Sequence, residues 1–404
     1  MPAQRAIVTL RRTDLAYAVG LAVGLAGLLI FFWRLRVEMM GVDDFATIWA
    51  GPRALLLGFD PYDPVTWRDT QVKVGAGTNL FSAVYLYPPW VTIALVPFAL
   101  LSTRDGVVVW TVIGMLSAVI AMRALLRAYL PQVDWAHGIV GLLLTISAPA
   151  AVTFLTGQWT FFFVAALAAI VLCLRARRPV AAGLLAQSML VKPPLFVFAA
   201  LGMGVQALWP GSADPTPGRR FVLVSLGAAL AIIAVSWLII PSWWPAWFEH
   251  IAVVQVGIEP VTIQTLFYQL FGPNGGWLAP PVLLAMVFAA LQFDPRGNAW
   301  LPVWLALSGA GVIYSNTYDL LLLLVPMIIA GGMLTPGRRT LVLLAGAVLL
   351  FPVMWYLHTI YVRGYAAGVA LLMFVIITAA LWPWRREITG SATSARGSAG
   401  SSRP

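Results

Sequence analysis

From residue 15 to residue 384 the chain alternates long apolar runs with short polar connections. An α-helix rises ~1.5 Å per residue, so crossing a ~30 Å hydrocarbon core takes about 20 mostly apolar residues. Runs near that length cover 15–36, 106–128, 138–155, 158–174, 221–241, 277–292, 299–314, 318–334, 340–357 and 364–384. The run 180–209 is interrupted by Lys192-Pro193-Pro194. Proline removes a helical N–H and clashes with the preceding turn, so this run reads as two short helices meeting at the break. The pattern therefore predicts twelve crossings. The stretch 86–101, LYPPWVTIALVPFALL, is apolar but has only 16 residues and three prolines. It is able either to cross or to lie along the interface.

Charge decides between these, because Lys and Arg accumulate on the cytoplasmic side. If 86–101 stays on the surface and the N-terminus is inside, seventeen of the 25 basic residues are cytoplasmic. If it crosses, only Arg5, Arg11, Arg12, Arg104, Lys192 and Arg363 remain inside. The expectation is twelve spans, both termini cytoplasmic, and 86–101 lying on the outer face of a cell membrane. Ten of the fifteen acidic residues then fall outside. Residues 1–384 read as one integral membrane domain, with juxtamembrane helices in the outer loop 37–105. Residues 385–404, rich in Ser, Gly and Ala, read as a disordered cytoplasmic tail. The first apolar run is too long for a signal-peptide core and ends in Trp33-Arg34, so no cleavable signal is expected.

Composition agrees. The chain is 61% apolar and 10% charged, against about 45–50% and about 25% in soluble domains. This excludes a soluble globular enzyme, a disordered protein and a coiled coil, and leaves an all-α polytopic membrane protein. The net charge of +10 sits in short clusters between apolar runs, which reads as topology and not as a nucleic-acid surface. Cys173 is the one cysteine, and His137, His250 and His358 have no metal-ligand spacing, so neither a disulfide nor a metal site is expected. No cofactor is expected. Twelve spans with a proline-broken helix also suit a secondary transporter or lipid flippase. Against that class, no Asp or Glu lies in the middle of a span. A non-catalytic partner in an envelope assembly is a third class.

The outer loops carry the polar chemistry. Helical spacing of Phe45, Ile48 and Trp49 predicts an amphipathic surface helix over 44–57, interrupted near Gly51-Pro52. Asp43 or Asp44 at its start serves as an N-cap, or one of the pair points into a cavity. The segment GFDPYDP is turn chemistry, with Gly58 ending the helix. Lys192 either snorkels from a helix end or serves as a functional cation on broken membrane helices. Gln158, Tyr318 and Asp319 sit at outer turns between spans. In SWWPAWFEH, His250 and Glu249 are belt residues at the interface or line a lipid groove.

Taken together, these pieces resemble glycosyltransferase family 87, within the membrane-embedded GT-C superfamily. The resemblance rests on Asp44-Phe45-Ala46, with Trp49 further on, followed by Arg53-Ala54-Leu55-Leu56, Gly58-Phe59-Asp60-Pro61-Tyr62 and Tyr87-Pro88-Pro89. It continues through Thr156-Gly157-Gln158, an Arg-rich turn before Pro179 and Gly183, Val191-Lys192-Pro193, and Ser315 to Asp319. It spans roughly residues 15–380. Relatives often carry a histidine in the late turn, where this chain reads Ser-Asn-Thr-Tyr-Asp, so no histidine role carries over there.

The resemblance implies a GT-C-type fold and a polyprenyl-phosphate sugar, commonly mannose, as donor. It implies a lipid-linked or glycan hydroxyl as acceptor on the outer face, and transfer with inversion. No nucleotide-binding domain is implied, in keeping with the lack of a Gly-rich phosphate loop after a strand. An arabinosyl or glucosyl polyprenyl phosphate is the alternative donor. Inverting transfer needs one carboxylate to take the acceptor proton and cations to hold the phosphate. Alignment with the family's Asp-aromatic pattern makes Asp44 the expected base, with Asp43 in reserve. Lys192 is the expected phosphate ligand, helped by Arg53 and Arg363. Gln158, Tyr87, Asp319, Tyr318 and His250 are expected around the substrates.

Overall fold

The computed structural model describes residues 11–35, 44–75, 84–208, 216–254, 261–295, 297–312, 315–360 and 364–385. Asp43, Arg363 and the segment 386–404 lie outside the described residues. Every regular element among the described residues is helical. Six helices are long and apolar enough to cross a membrane: Arg12–Ile30, Thr103–Tyr129, Pro217–Ile239, Pro273–Leu291, Pro336–Thr359 and Tyr365–Trp384. A pair, Asp134–Ile146 and Ala148–Thr156, meets the same requirement as one path bent by 42°. Shorter apolar helices cover Thr160–Arg175, Pro179–Val191, Val197–Ala207, Trp300–Ala310 and Thr317–Met333. The chain is an integral, polytopic, all-helical membrane protein.

Several expected straight spans are broken for local reasons. The run 138–155 bends at Ser147, which is extended (φ −61°, ψ 148°) ahead of Pro149. The Ser147 hydroxyl donates to the Leu143 carbonyl at 2.6 Å, and its oxygen caps the Ala150 N–H. The run 318–334 opens as a 3₁₀ helix, Thr317–Leu323, before the α-helix Leu324–Met333. The run 340–357 contains a π-helical turn, Leu349–Val353, at Pro352. The break at Lys192 falls where the two prolines put it, between 3₁₀ turns Ala186–Val191 and Pro193–Leu195. There the Ser308 hydroxyl donates to the Leu195 carbonyl at 2.7 Å and accepts from the Ala199 N–H. Groups freed by proline inside a membrane are satisfied by such neighbours.

The stretch 86–101 forms two short helices, Pro89–Ala94 and Val96–Ala99, neither long enough to cross. The helix Asp44–Leu56 runs through Pro52 without the expected interruption. Its residues Phe45, Ile48, Trp49 and Ala54 are all buried, and this packing outweighs the lost hydrogen bond. Gly58 ends it in the left-handed region, at φ +78°. The turn after it is held by side chains: Tyr62 N–H donates to Asp60 at 2.8 Å and the Thr66 hydroxyl to Asp63 at 2.6 Å. The Thr66 hydroxyl, with the Val65 N–H, holds the Asp63 carboxyl below its usual range.

Two apolar cores result. The larger lies between the apolar helices and includes Met122, Val164, Trp304, Leu324 and Met373. The smaller is aromatic and joins the helix Asp44–Leu56 to Tyr62, Trp67, Tyr85, Trp110, Trp243, Trp244 and Trp247. One interhelical contact depends on glycine. Gly20, Gly24 and Gly27 face Gly138, Thr145 and Ile146, and a Cβ on Gly141 would come within 2.7 Å of the Tyr17 carbonyl. Small residues let membrane helices approach closely enough for backbone packing. Leu223, Leu226, Leu230 and Leu238 on the helix Thr216–Ile239 are exposed, as lipid-facing positions should be.

Candidate active site

Two polar pairs lie on neighbouring elements. The first joins the loop 37–105 to a turn between apolar helices. Asp44 opens the helix Asp44–Leu56, and Gln158 Nε2 donates to its Oδ2 at 2.5 Å. Gln158 is held in place by Gly157, which closes the helix Ala148–Thr156 in the left-handed conformation at φ +64°. A side chain on Gly157 would collide with Phe45, so a glycine there lets the turn seat against the residue next to Asp44. Trp110 Nε1 donates to the Gly157 carbonyl at 2.9 Å and fixes the turn from a third helix.

The second pair forms at the proline break. Lys192 Nζ donates to Asp319 Oδ2 at 2.5 Å, with side-chain exposures of 18% and 2%. The Lys192 ammonium also lies 5.0 Å from the Tyr318 ring centroid, within cation–π range. Asp319 is the third residue of the 3₁₀ helix Thr317–Leu323. Its Oδ2 accepts the Asn316 N–H at 2.8 Å and, at a long 3.4 Å, the Ser315 hydroxyl. Its Oδ1 is buried and has no hydrogen-bond partner among the described residues. Asn316 Nδ2 donates to the Tyr318 hydroxyl at 2.7 Å.

The two pairs are linked by packing. The helix Ala148–Thr156 lies against Thr317–Leu323, and the helix Thr160–Arg175 lies against both Thr317–Leu323 and Ala186–Val191. Trp159, next to Gln158, packs on both cores. The Tyr87 ring is 6.2 Å from Trp159 and 5.7 Å from Tyr85. Asp44, Gln158, Tyr87, Lys192, Tyr318 and Asp319, six residues singled out from the sequence, thus occupy one connected region.

Two others have different surroundings. Arg53 donates to the Ala99 carbonyl at 3.1 Å and lies over the Trp49 ring, tying the surface helix to Val96–Ala99. His250 is 3% exposed. Its Nδ1 donates to the Tyr85 carbonyl at 2.9 Å, while Trp247 Nε1 donates to the Leu86 carbonyl at 2.9 Å. One turn apart on the helix Trp243–Val254, these side chains hold the extended strip before Tyr87. Trp243, Trp244 and Trp247 on the same helix are buried against protein. Burial also pushes the Tyr62 and Tyr85 phenols up. Tyr62 donates to the Tyr87 carbonyl, and Tyr85 accepts from the Thr92 hydroxyl at 3.1 Å.

Sequence reasoning missed Trp159, Trp247 and the Ser308 bridge, whose partners are distant in the chain. It also missed Asp14, which pairs with Arg123 and Arg127 at 3.1 and 2.7 Å near the other ends of its helices. No group of three His, Cys, Asp or Glu with metal-binding geometry occurs among the described residues. What the site offers is carboxylates, one ammonium, an amide and aromatic rings.

Comparison with curated proteins and with solved structures returned no match. The profile of Glycosyltransferase family 87 matches residues 85–326, more than half of the chain. Tyr87, Gln158, Lys192, His250, Tyr318 and Asp319 fall within the match, whereas Asp44 and Arg53 precede it. The chain belongs to glycosyltransferase family 87 and is a membrane glycosyltransferase.

Proposed function

We propose that this enzyme transfers a sugar, mannose first among the candidates, from a polyprenyl-phosphate donor to a hydroxyl of a lipid-linked or glycan acceptor. In this reading the seven long paths and five shorter apolar helices make twelve crossings. Both termini are cytoplasmic, and the Asp44 and Lys192 regions face outward. The positive-inside distribution of Lys and Arg supports that orientation.

The observation that carries the reading is the Lys192–Asp319 pair at a proline-broken helix inside the family match. A buried carboxylate stands opposite the ammonium where the surroundings are apolar. An ammonium is a compact positive charge suited to a phosphate oxygen. The charge that this oxygen gains as leaving group is stabilised most in such a low-dielectric setting. The Tyr318 ring and the Asn316 turn hold the cation against drift.

Asp44 is the proposed base. The acceptor oxygen attacks the anomeric carbon from the face opposite the phosphate, and the bond from that carbon to the phosphate oxygen breaks. The acceptor proton passes to Asp44, while the lipid phosphate leaves with the bonding electron pair. Gln158 orients the Asp44 carboxylate through Oδ2. General-base assistance is typically worth ~10²–10⁴ in rate. The test is transfer of radiolabelled sugar from a panel of mannosyl, glucosyl and arabinosyl polyprenyl phosphates by membranes containing the protein. Asp44-dependent transfer from one of them is the expected result. Transfer only from nucleotide sugars would overturn the reading, and arabinosyl or glucosyl transfer would replace mannose.

A further inference from the structure

The Asp319 carboxylate is used unevenly. Three donors, from Lys192, Asn316 and Ser315, converge on Oδ2, while Oδ1 is buried with no partner among the described residues. A buried carboxylate oxygen without a donor is strongly unfavourable, so such a group calls for something that arrives to satisfy it. What arrives must bring a donor, and it must lie beside whatever Lys192 Nζ holds.

We propose that Asp319 Oδ1 accepts a hydrogen bond from the C2 hydroxyl of the transferred sugar, making Asp319 a specificity-determining residue for the configuration at C2. The inference rests on the reading that places the donor phosphate on Lys192. In a glycosyl phosphate the anomeric carbon is bonded to a phosphate oxygen, and C2 is the adjacent ring carbon. A group beside the phosphate-holding ammonium therefore meets the C2 substituent before any other ring hydroxyl. Asp319 Oδ1 belongs to the same carboxylate that already contacts that ammonium.

Such hydrogen bonds to the 2-hydroxyl strengthen as a sugar ring moves toward an oxocarbenium-like transition state. Mannose and glucose differ in the direction of this hydroxyl alone, axial in one and equatorial in the other. A single fixed acceptor suits one of the two. A hydroxyl missing or misdirected leaves the buried acceptor unpaired, the situation in which polar sites discriminate best.

The experiment compares short-chain polyprenyl phosphate, its mannosyl and glucosyl forms, and the 2-deoxy analogue, by equilibrium binding to the purified full-length protein in nanodiscs. Binding, rather than turnover, avoids the greater intrinsic reactivity of 2-deoxy donors. The wild type should bind the mannosyl lipid roughly 10- to 100-fold tighter than the 2-deoxy analogue. Asp319→Asn should lower that ratio to a few-fold. A ratio taken on one protein cancels any general loosening of the site. Asp319→Glu keeps the charge opposite Lys192 but moves the carboxylate oxygens by one methylene, so the ratio should fall there too, even if the Asn variant does not fold.

Equal wild-type affinity for the mannosyl and 2-deoxy lipids would overturn the inference and assign Oδ1 to water. A ratio that survives both substitutions would also overturn it. Preference for the glucosyl lipid with the same Asp319 dependence would support the contact and change only the sugar. If the wild type binds none of these lipids, the proposed function falls and the inference with it. Binding of the sugarless and mannosyl lipids with equal affinity removes the inference alone.

Discussion

Removing the Lys192–Asp319 pair one side at a time, and then whole, separates folding from chemistry. At 2.5 Å the gross attraction between two unit charges is about 7 kcal/mol at an effective dielectric near 20. Against it stands a desolvation penalty of several kcal/mol for each ion, and among the described residues Asp319 regains hydrogen bonds on only one of its two oxygens. The net worth of the pair is therefore small, while the cost of orphaning either member is large. Lys192→Met should destabilise the protein by about 3–5 kcal/mol, because it leaves an almost fully buried carboxylate. Asp319→Leu should cost somewhat less, since Lys192 retains 18% exposure and a flexible stem. The double variant should return to within about 2 kcal/mol of the wild type, since an apolar pair of similar volume often replaces a buried ion pair without loss. It should nonetheless transfer no sugar. Reversible unfolding in mixed detergent micelles, followed by tryptophan fluorescence, reads the stabilities, and radiolabel transfer reads the activity. If the two single losses simply add in the double variant, the pair is not coupled and this reasoning fails. An active double variant would remove Lys192 from the phosphate site.

Asp44→Asn keeps the shape and the contact region of Gln158 but cannot take a proton; turnover should drop ~10²–10⁴-fold with donor affinity nearly unchanged, and wild-type kcat in this variant would send the search for the base to Asp319. In a Cys173→Ser background, cysteines at Arg104 and Asn316 should react with an impermeant maleimide from outside intact cells and cysteines at Arg177 and Arg338 should not; the reverse pattern would invert the topology. Gly24→Leu drives a side chain into Thr145 across a glycine-lined contact and should cost at least about 1–3 kcal/mol, visible as early unfolding in the same detergent titration, whereas Gly204→Leu, with open space around its Cβ position, should not. Trp247→Phe removes the hydrogen bond to the Leu86 carbonyl and should lose about 1–3 kcal/mol, with a raised KM if the strip before Tyr87 supports substrate.

The break at Lys192 was written in two adjacent prolines, and the apolar runs were written in residue type, because both act locally. Proline blocks its own turn of helix wherever it stands, and a run of apolar residues is driven from water whatever its neighbours are. The same holds for the left-handed Gly58 and the Asp60 and Asp63 turns, whose partners lie two or three residues away. The bend at Ser147 and the 3₁₀ opening at Thr317 were missed, since an apolar run looks alike whether it is straight or kinked. The continuous helix through Pro52 was missed for the opposite reason: the local rule was right, but burial of one helix face overrode it.

The candidate site divides along the same line. Sequence by itself determined that this is an all-helical membrane protein, singled out Asp44, Gln158, Lys192 and Asp319 as polar candidates, and placed a lysine at a helix break. Only the tertiary structure decided who pairs with whom. Gln158 meets Asp44 across 114 residues and Lys192 meets Asp319 across 127, contacts that depend on how helices stack and so leave no periodic trace in the chain. The fold likewise decided that His250 and Arg53 hold backbone carbonyls, and that one oxygen of Asp319 has no partner among the described residues. Burial is a property of the packed assembly, and an unsatisfied group exists only once its neighbours have been fixed around it.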